Sequence, residues 1–396
     1  MSARINISIG GKWHFYDIVA AAYELGALNY FYTTFFFKNR SIVDSFLGRR
    51  FHFSNRYSDY FPSSKVMSNW IPELYSKTLQ RLKLKSDGEA LRIRCELFDD
   101  WTSKVMDDCS VFHSQDGFCL KTARKMKEKG AIFICDRGII SASYLRNLSE
   151  REYSRYGINK EYADCYIMDR THLEHLLADC ILVPTETVKK SLVEEGIEER
   201  KIAIVPYGVD LDLFNVTARA RDKFNVIFVG ELSFRKGCHY LLNAWKNLRF
   251  KDARLTMIGH VEKEFRSFLS KEDWPNVAVV PYVTQQELLE YYKDSTLFVL
   301  PSLAEGSARV IYEAMACSLP VLYTDMSGSI ARNNIDGFEI PAFNRLALEE
   351  RLEYCYLHRD EIAIMGNNGH KWVRNYSKEN YRKKIQAIYS RYLNNI

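Results

Sequence analysis

No apolar run in this chain approaches the roughly 20 residues that a helix needs to cross a bilayer. The opening MSARINISIGG has no long apolar stretch ending at a small-residue cleavage site, so a cytoplasmic setting is expected rather than secretion. A CxxC pair, an internal repeat and a low-complexity tract are also missing. The nine cysteines are scattered and odd in number, which argues for buried thiols rather than a disulfide framework. Charge of one sign is scarce: 55 Lys and Arg against 50 Asp and Glu leave +5, and no nucleic-acid partner is expected.

What is there is ample. At 396 residues, 47% apolar and 27% charged, the chain exceeds the usual single-core domain, so two domains are the first expectation. The positive excess is local. Between Lys38 and Arg94 twelve Lys and Arg face five Asp and Glu, an excess of 12 − 5 = +7, interleaved with Phe51, Phe53, Tyr57, Tyr60, Phe61 and Trp70. Such a segment suits peripheral contact with anionic lipid head groups or with an anionic acceptor. A solvated loop-and-helix excursion fits it equally.

Short apolar runs alternate with helical patterns in both halves. INISIG, VFHSQ, AIFICD, CILVPT and KIAIVPYG read as strands in the first half. NVIFVGEL, ARLTMIG, VAVVPYV, TLFVLPS and LPVLYTD do so in the second. The aromatic run Tyr30–Phe37 reads as a further buried strand. Near-continuous apolar strands separated by helices indicate parallel sheets covered on both faces, here in two series. The expected division is 1–208, 209–374 and a last helix, 375–396, that has no strand after it and must pack elsewhere. In such sheets ligands bind beyond the carboxyl ends of the strands.

Several unusual residues fall there. Arg235, Lys236 and Gly237 lie between a strand and a helix, where cations beside a helix start suit a phosphate, or form a solvated basic loop. Glu305 is expected on the loop after TLFVLPS, and Glu313 inside the following helix. Gly306, Ser307 and Ala308 between them are small enough for an anion to approach the backbone. The plainer reading makes Glu305 a helix-start acid and Glu313 a surface residue. Gly10 and Gly11 follow the first strand, with a helix expected from near His14; a diglycine lets a ligand approach but is weak evidence alone.

Taken in order, Gly10-Gly11, VPYGVDLDLF, FVGELSFRKG, EGSARVIYEAMACSLPVLYTD and SGSIARNNIDGFEIP resemble the retaining nucleotide-sugar glycosyltransferases of family 4. The resemblance is strong over about 200–345, weaker over 105–200 and almost absent from 38 to 100. It implies the α/β GT-B fold: two Rossmann-like domains facing across a cleft, with the C-terminal helix crossing back to the first. It further implies a UDP-, GDP- or ADP-linked sugar as donor in the second domain and a carbohydrate or lipid-linked acceptor in the first. No cofactor and no metal are implied. Glu305 would contact donor-sugar hydroxyls and Glu313 the ribose. Lys236, helped by Arg235, would neutralise the diphosphate, and the backbone of Gly306–Ala308 would cradle it. Transfer would retain configuration by a front-face route, with a donor phosphate oxygen helping to take the acceptor proton.

Two positions depart from the family. Glu231 stands where an Arg is common. Asp136, followed by Arg137, stands where a histidine often follows a first-domain strand. Either Asp136 would orient donor or acceptor hydroxyls or Arg137 would pair with phosphate, with His113 and His14 as further acceptor-side candidates. Such departures leave an epimerase-type enzyme or a silent scaffold as alternatives. Asp210-Leu211-Asp212 is a literal D-x-D but lies in an interdomain segment, and His172, His175 and Asp179 read as a polar helix face; neither is taken as a metal site.

Overall fold

The computed structural model describes residues 4–11, 15–37, 56–160, 165–214, 216 and 223–394. The first half builds a seven-stranded sheet from β1 (Ile5–Ile9), β2 (Leu28–Thr33), β3 (Val66–Ser68), β4 (Val111–Gln115), β5 (Ile132–Asp136), β6 (Cys180–Val183) and β7 (Ile202–Ile204). The second builds a six-stranded sheet from β8 (Phe224–Val229), β9 (Ala253–Ile258), β10 (Val277–Val280), β11 (Leu297–Leu300), β12 (Val321–Thr324) and β13 (Gly337–Ile340). The spatial orders are β3-β2-β1-β4-β5-β6-β7 and β10-β9-β8-β11-β12-β13. Every pairing is parallel. Strands β1, β6, β11 and β12 are buried at every residue, as strands covered by helices on both faces must be. These are the two doubly wound sheets that the alternating pattern predicts.

Two short strands escape the pattern. β3 has three residues, only Val66 of them buried, and periodicity cannot register so short an edge. β13 opens on Gly337, where an added Cβ would sit 1.9 Å from the Val321 carbonyl oxygen. That glycine permits backbone contact inside a sheet. The run Tyr30–Phe37 is only partly a strand: β2 ends at Thr33, and Phe35 and Phe37 leave the sheet to pack edge-to-face, 4.9 Å apart.

The last helix, Lys378–Leu393, is capped by Ser377 and returns to the first sheet after two intervening helices, Arg345–Leu357 and Arg359–Val373. Tyr381, Ile385 and Tyr389, spaced by four, form one buried stripe against the core of Ile5, Ile7 and Phe15. Arg382 pairs with Asp17 at 3.2 Å on the same seam. A reverse exchange was not legible. Tyr153, just past the helix Ala142–Glu152, is fully buried in the core of the second sheet, and Tyr156 stacks on Phe234 at 4.5 Å.

Strand order reverses between β1 and β4 in one sheet and between β8 and β11 in the other. The crevices beyond those strand ends are where a doubly wound fold binds ligands. Gly10 and Asp116 stand at the first, and Gly230 to Glu305 at the second.

Candidate active site

Gly237 sets the second crevice. It caps the helix Cys238–Leu248 in the left-handed region, φ 67°, and an added Cβ would lie 1.9 Å from the Pro301 carbonyl oxygen. Only glycine allows that approach, and it presses the loop Phe234–Lys236 against the end of β11. Glu305 then receives three bonds on one oxygen. Its Oε1 accepts from Arg235 Nη1 at 2.8 Å, Lys236 Nζ at 2.5 Å and Ser302 Oγ at 2.9 Å. Burial pushes the Glu305 carboxyl up, but Lys236 and Arg235 prevail and hold it below its ordinary range. Burial, with Arg235 beside it, lowers the Lys236 ammonium against the pull of Glu305.

Among the described residues these bonds to the Glu305 side chain all fall on Oε1, and Oε2 keeps its acceptor capacity. Lys236 Nζ carries three protons and directs one at Glu305. The cluster is thus a fixed anion held by two cations, with capacity left for both a hydroxyl and an oxyanion.

Glu313 is buried in the helix Arg309–Ala316, one face away from solvent. Tyr292 donates its hydroxyl to Glu313 Oε2 at 3.4 Å. Burial raises this carboxyl from 4.5 to about 7, with Arg309 opposing. The surface reading of Glu313 is therefore wrong. Ser307 does not present its hydroxyl freely, because it shares a bond of 2.9 Å with Tyr312 OH. The small residues between the glutamates do a job that spacing could not reveal. An added Cβ on Gly306 would lie 1.8 Å from Gly138 O, in the loop after β5, and Thr185 Oγ1 donates to Gly306 O at 2.8 Å. Gly306 is where the two sheets' loops meet backbone to backbone. The Ala308 N–H is occupied by Ser327 O at 3.3 Å, so this amide does not belong to an anion cradle.

The first crevice departs further from expectation. Gly10 is explained by packing: an added Cβ would sit 2.1 Å from the Phe118 ring, so the glycine accommodates an aromatic side chain rather than a ligand. Gly11 beside it is half-buried, and His14 lies outside the described residues. Arg137 is not aimed at a phosphate. Its guanidinium bonds Asp116 at 2.8 Å, Ile139 O at 2.8 Å and Ile140 O at 2.7 Å, which holds the loop that meets Gly306. His113 is fully buried and bonds Tyr389 OH through Nδ1 at 2.7 Å, while its Nε2 faces Asp136 at 3.9 Å. Asp136 ends β5 beside this pair, and its charge helps to raise the hydroxyls of Tyr207, Tyr381 and Tyr389, after burial. Tyr381 and Tyr389 come from the last helix, so no reading of the first half alone could find them.

Asp210 is occupied structurally: Oδ1 accepts the Leu213 N–H at 3.1 Å and Oδ2 pairs with Lys378 Nζ at 2.7 Å. His175 bonds Asp116 at 3.0 Å, and Asp179 pairs with Lys127 at 2.6 Å. Among the described residues no three His, Cys, Asp or Glu are grouped to hold a metal ion.

A parallel two-sheet fold with a cationic cluster at the second switch point, closed by the last helix, is the GT-B architecture. Residues 211–372 match the family of glycosyl transferases group 1. It is 24% identical over 377 residues to the capsular polysaccharide biosynthesis glycosyltransferase CapM of Staphylococcus aureus, covering 84% of this chain and 95% of that one. Over 177 residues it is 30% identical to a D-inositol 3-phosphate glycosyltransferase of Pseudarthrobacter chlorophenolicus, covering 39% of this chain and 42% of that one. The fold matches sucrose-phosphate synthase from Thermosynechococcus elongatus with a TM-score of 0.69 at 16% identity over the whole of both chains. It also matches HepE of Anabaena in complex with UDP, with a TM-score of 0.67 at 12% identity over 98% of this chain and 100% of that one.

Proposed function

We propose that the chain transfers a sugar from a nucleoside-diphosphate donor to a hydroxyl of a cell-envelope glycan or lipid-linked saccharide, with retention and without a bound metal. The observation that carries this reading is the Glu305–Arg235–Lys236 cluster at the second switch point. Glu305 Oε2 accepts donor-sugar hydroxyls while Oε1 anchors the two cations. Lys236 and Arg235 face the diphosphate and stabilise the charge that grows on it as the glycosidic bond breaks. Glu313 takes the ribose hydroxyls. Asp136, at the end of β5, orients the acceptor or donor hydroxyl, and the donor phosphate oxygen takes the acceptor proton. The capsular glycosyltransferase above supports an envelope acceptor, and HepE in complex with UDP supports a uridine donor.

The test is a panel of UDP-, GDP- and ADP-sugars with purified protein, following donor consumption and the anomeric configuration of the product with and without EDTA. One donor consumed, retention and indifference to EDTA are expected. Inversion, EDTA sensitivity, or nucleotide binding without turnover of any donor would each overturn the corresponding part. Release of an isomerised donor without an acceptor would place the chain among the epimerases.

A further inference from the structure

The helix Ile71–Arg81 is built inside out. Its buried residues are Pro72, Glu73 and Ser76, whereas Ile71, Leu74 and Tyr75 on the opposite side are each more than half exposed. Trp70 before it and Leu82 and Leu84 after it are exposed to the same degree. An ordinary surface helix turns its apolar stripe to the core. Here the polar side is fastened inward. Glu73 accepts from Thr34 Oγ1 at 2.8 Å, Arg56 Nη2 at 2.9 Å and Lys77 Nζ at 2.7 Å. Ser76 donates to Ala90 O at 2.7 Å. Rotating the helix to hide its apolar side would break the bonds to Thr34, Arg56 and Ala90, so the exposure is fixed by the fold.

Charge identifies what covers the apolar side. Lys77, Arg81, Lys83 and Lys85 are exposed along and just beyond the helix, and Arg81 and Lys83 have no ion-pair partner among the described residues. Exposed aromatic and aliphatic side chains rimmed by free cations are the composition of an interfacial helix on anionic lipid. Placement agrees. The helix leaves the carboxyl edge of the first sheet directly after β3, and Thr34, which bonds Glu73, also reaches Gly10 O at 3.4 Å, at the first switch point. The inward, polar side of the helix is therefore tied to the rim of the first crevice, and the apolar side is turned outward from it.

We propose that the helix Ile71–Arg81, with Trp70 and the turn through Leu84, is a docking face for an anionic bilayer that holds the first crevice over a membrane-anchored acceptor; the acceptor clause rests on the transferase reading above. The test is co-sedimentation of the full chain with phosphatidylcholine vesicles, with or without phosphatidylglycerol, at low and high salt. Binding only to the anionic vesicles, weakened by salt, is expected. The combined variant I71S/L74S/Y75S should bind at least about tenfold more weakly, and R81Q/K83Q should lose most of the salt dependence. Both should melt like the wild type, since none of these side chains is buried. A blue shift of emission on vesicles that W70F lacks would support the docking. Equal binding by I71S/L74S/Y75S and wild type, or equal binding to neutral vesicles, would overturn it. So would a wild-type dimer that I71S/L74S/Y75S dissolves in the absence of lipid, which would make a second copy the occupant. Donor consumption in detergent-free buffer separates the two readings: vesicle binding without turnover sinks the transferase and leaves the docking face standing, and the converse sinks only the docking face.

Discussion

Glu305 holds two cations in a site where the side chains of all three are less than 15% exposed. Removing one member of a buried ion cluster leaves the others unpaired, at a cost of about 3–5 kcal/mol. Glu305→Ala should therefore lower stability by about 3 kcal/mol as well as abolish turnover, as denaturant titration and donor consumption would show. Lys236→Met removes a cation but leaves Glu305 with Arg235 and Ser302. Its stability should change by about 1 kcal/mol or less, while turnover falls about a hundredfold. Glu313 gives a pH signature. Its carboxyl is raised in the folded chain from 4.5 to about 7, so its stabilising contribution is full below about pH 4.5 and is lost as pH rises through about 7. Glu313→Gln lacks this titration, so its melting temperature relative to wild type should climb between those limits. A constant difference would refute the raised carboxyl. Nucleotide affinity of the wild type should rise over the same range, as the carboxylate becomes the stronger acceptor for ribose hydroxyls.

At the scale of elements, the loop after β5 is held by Arg137 and pressed onto Gly306. Gly306→Ala would force a methyl into Gly138 O and separate the two loops. A displacement of about 1 Å there should cost about a hundredfold in turnover, with a smaller loss of melting temperature. Unchanged kinetics would show that this backbone contact is not part of the working geometry. Helix and strand existence was legible because apolar runs and helical stripes are local. The function of the intervening small residues was not, because Gly306, Gly10 and Gly237 each answer to atoms far away in sequence: Gly138 O, the Phe118 ring and Pro301 O.

At the scale of the whole molecule, side chains from each half are buried against the other. Glu152 accepts from Arg155 at 2.9 Å, His239 at 3.3 Å and Tyr240 at 3.2 Å, and Tyr153 OH bonds Glu262 at 2.9 Å. Burial raises the Glu152 carboxyl, yet His239 and Arg155 draw it below its ordinary range. Glu152→Ala strands these partners and should cost about 2–4 kcal/mol. Calorimetry should show one transition for the wild type and two for this variant, one for each sheet. A variant that still melts in one step would mean that the remaining contacts, among them the last helix and the Gly306–Gly138 loops, suffice to couple the halves.

By itself the sequence determined the class of fold, the two series of parallel strands, the position of Arg235, Lys236 and Glu305 between strand ends and helix starts, and that of Glu313 inside the helix that follows. These are short-range consequences of periodicity and turn chemistry, and motifs in order carry them. Tertiary structure alone decided that Glu305 gathers both cations on one oxygen, that Arg137 holds a loop, and that the last helix brings Tyr389 to His113 near Asp136. It alone turned the apolar side of Ile71–Arg81 outward. Each of these depends on contacts between residues distant along the chain, whose burial and charge no local pattern encodes.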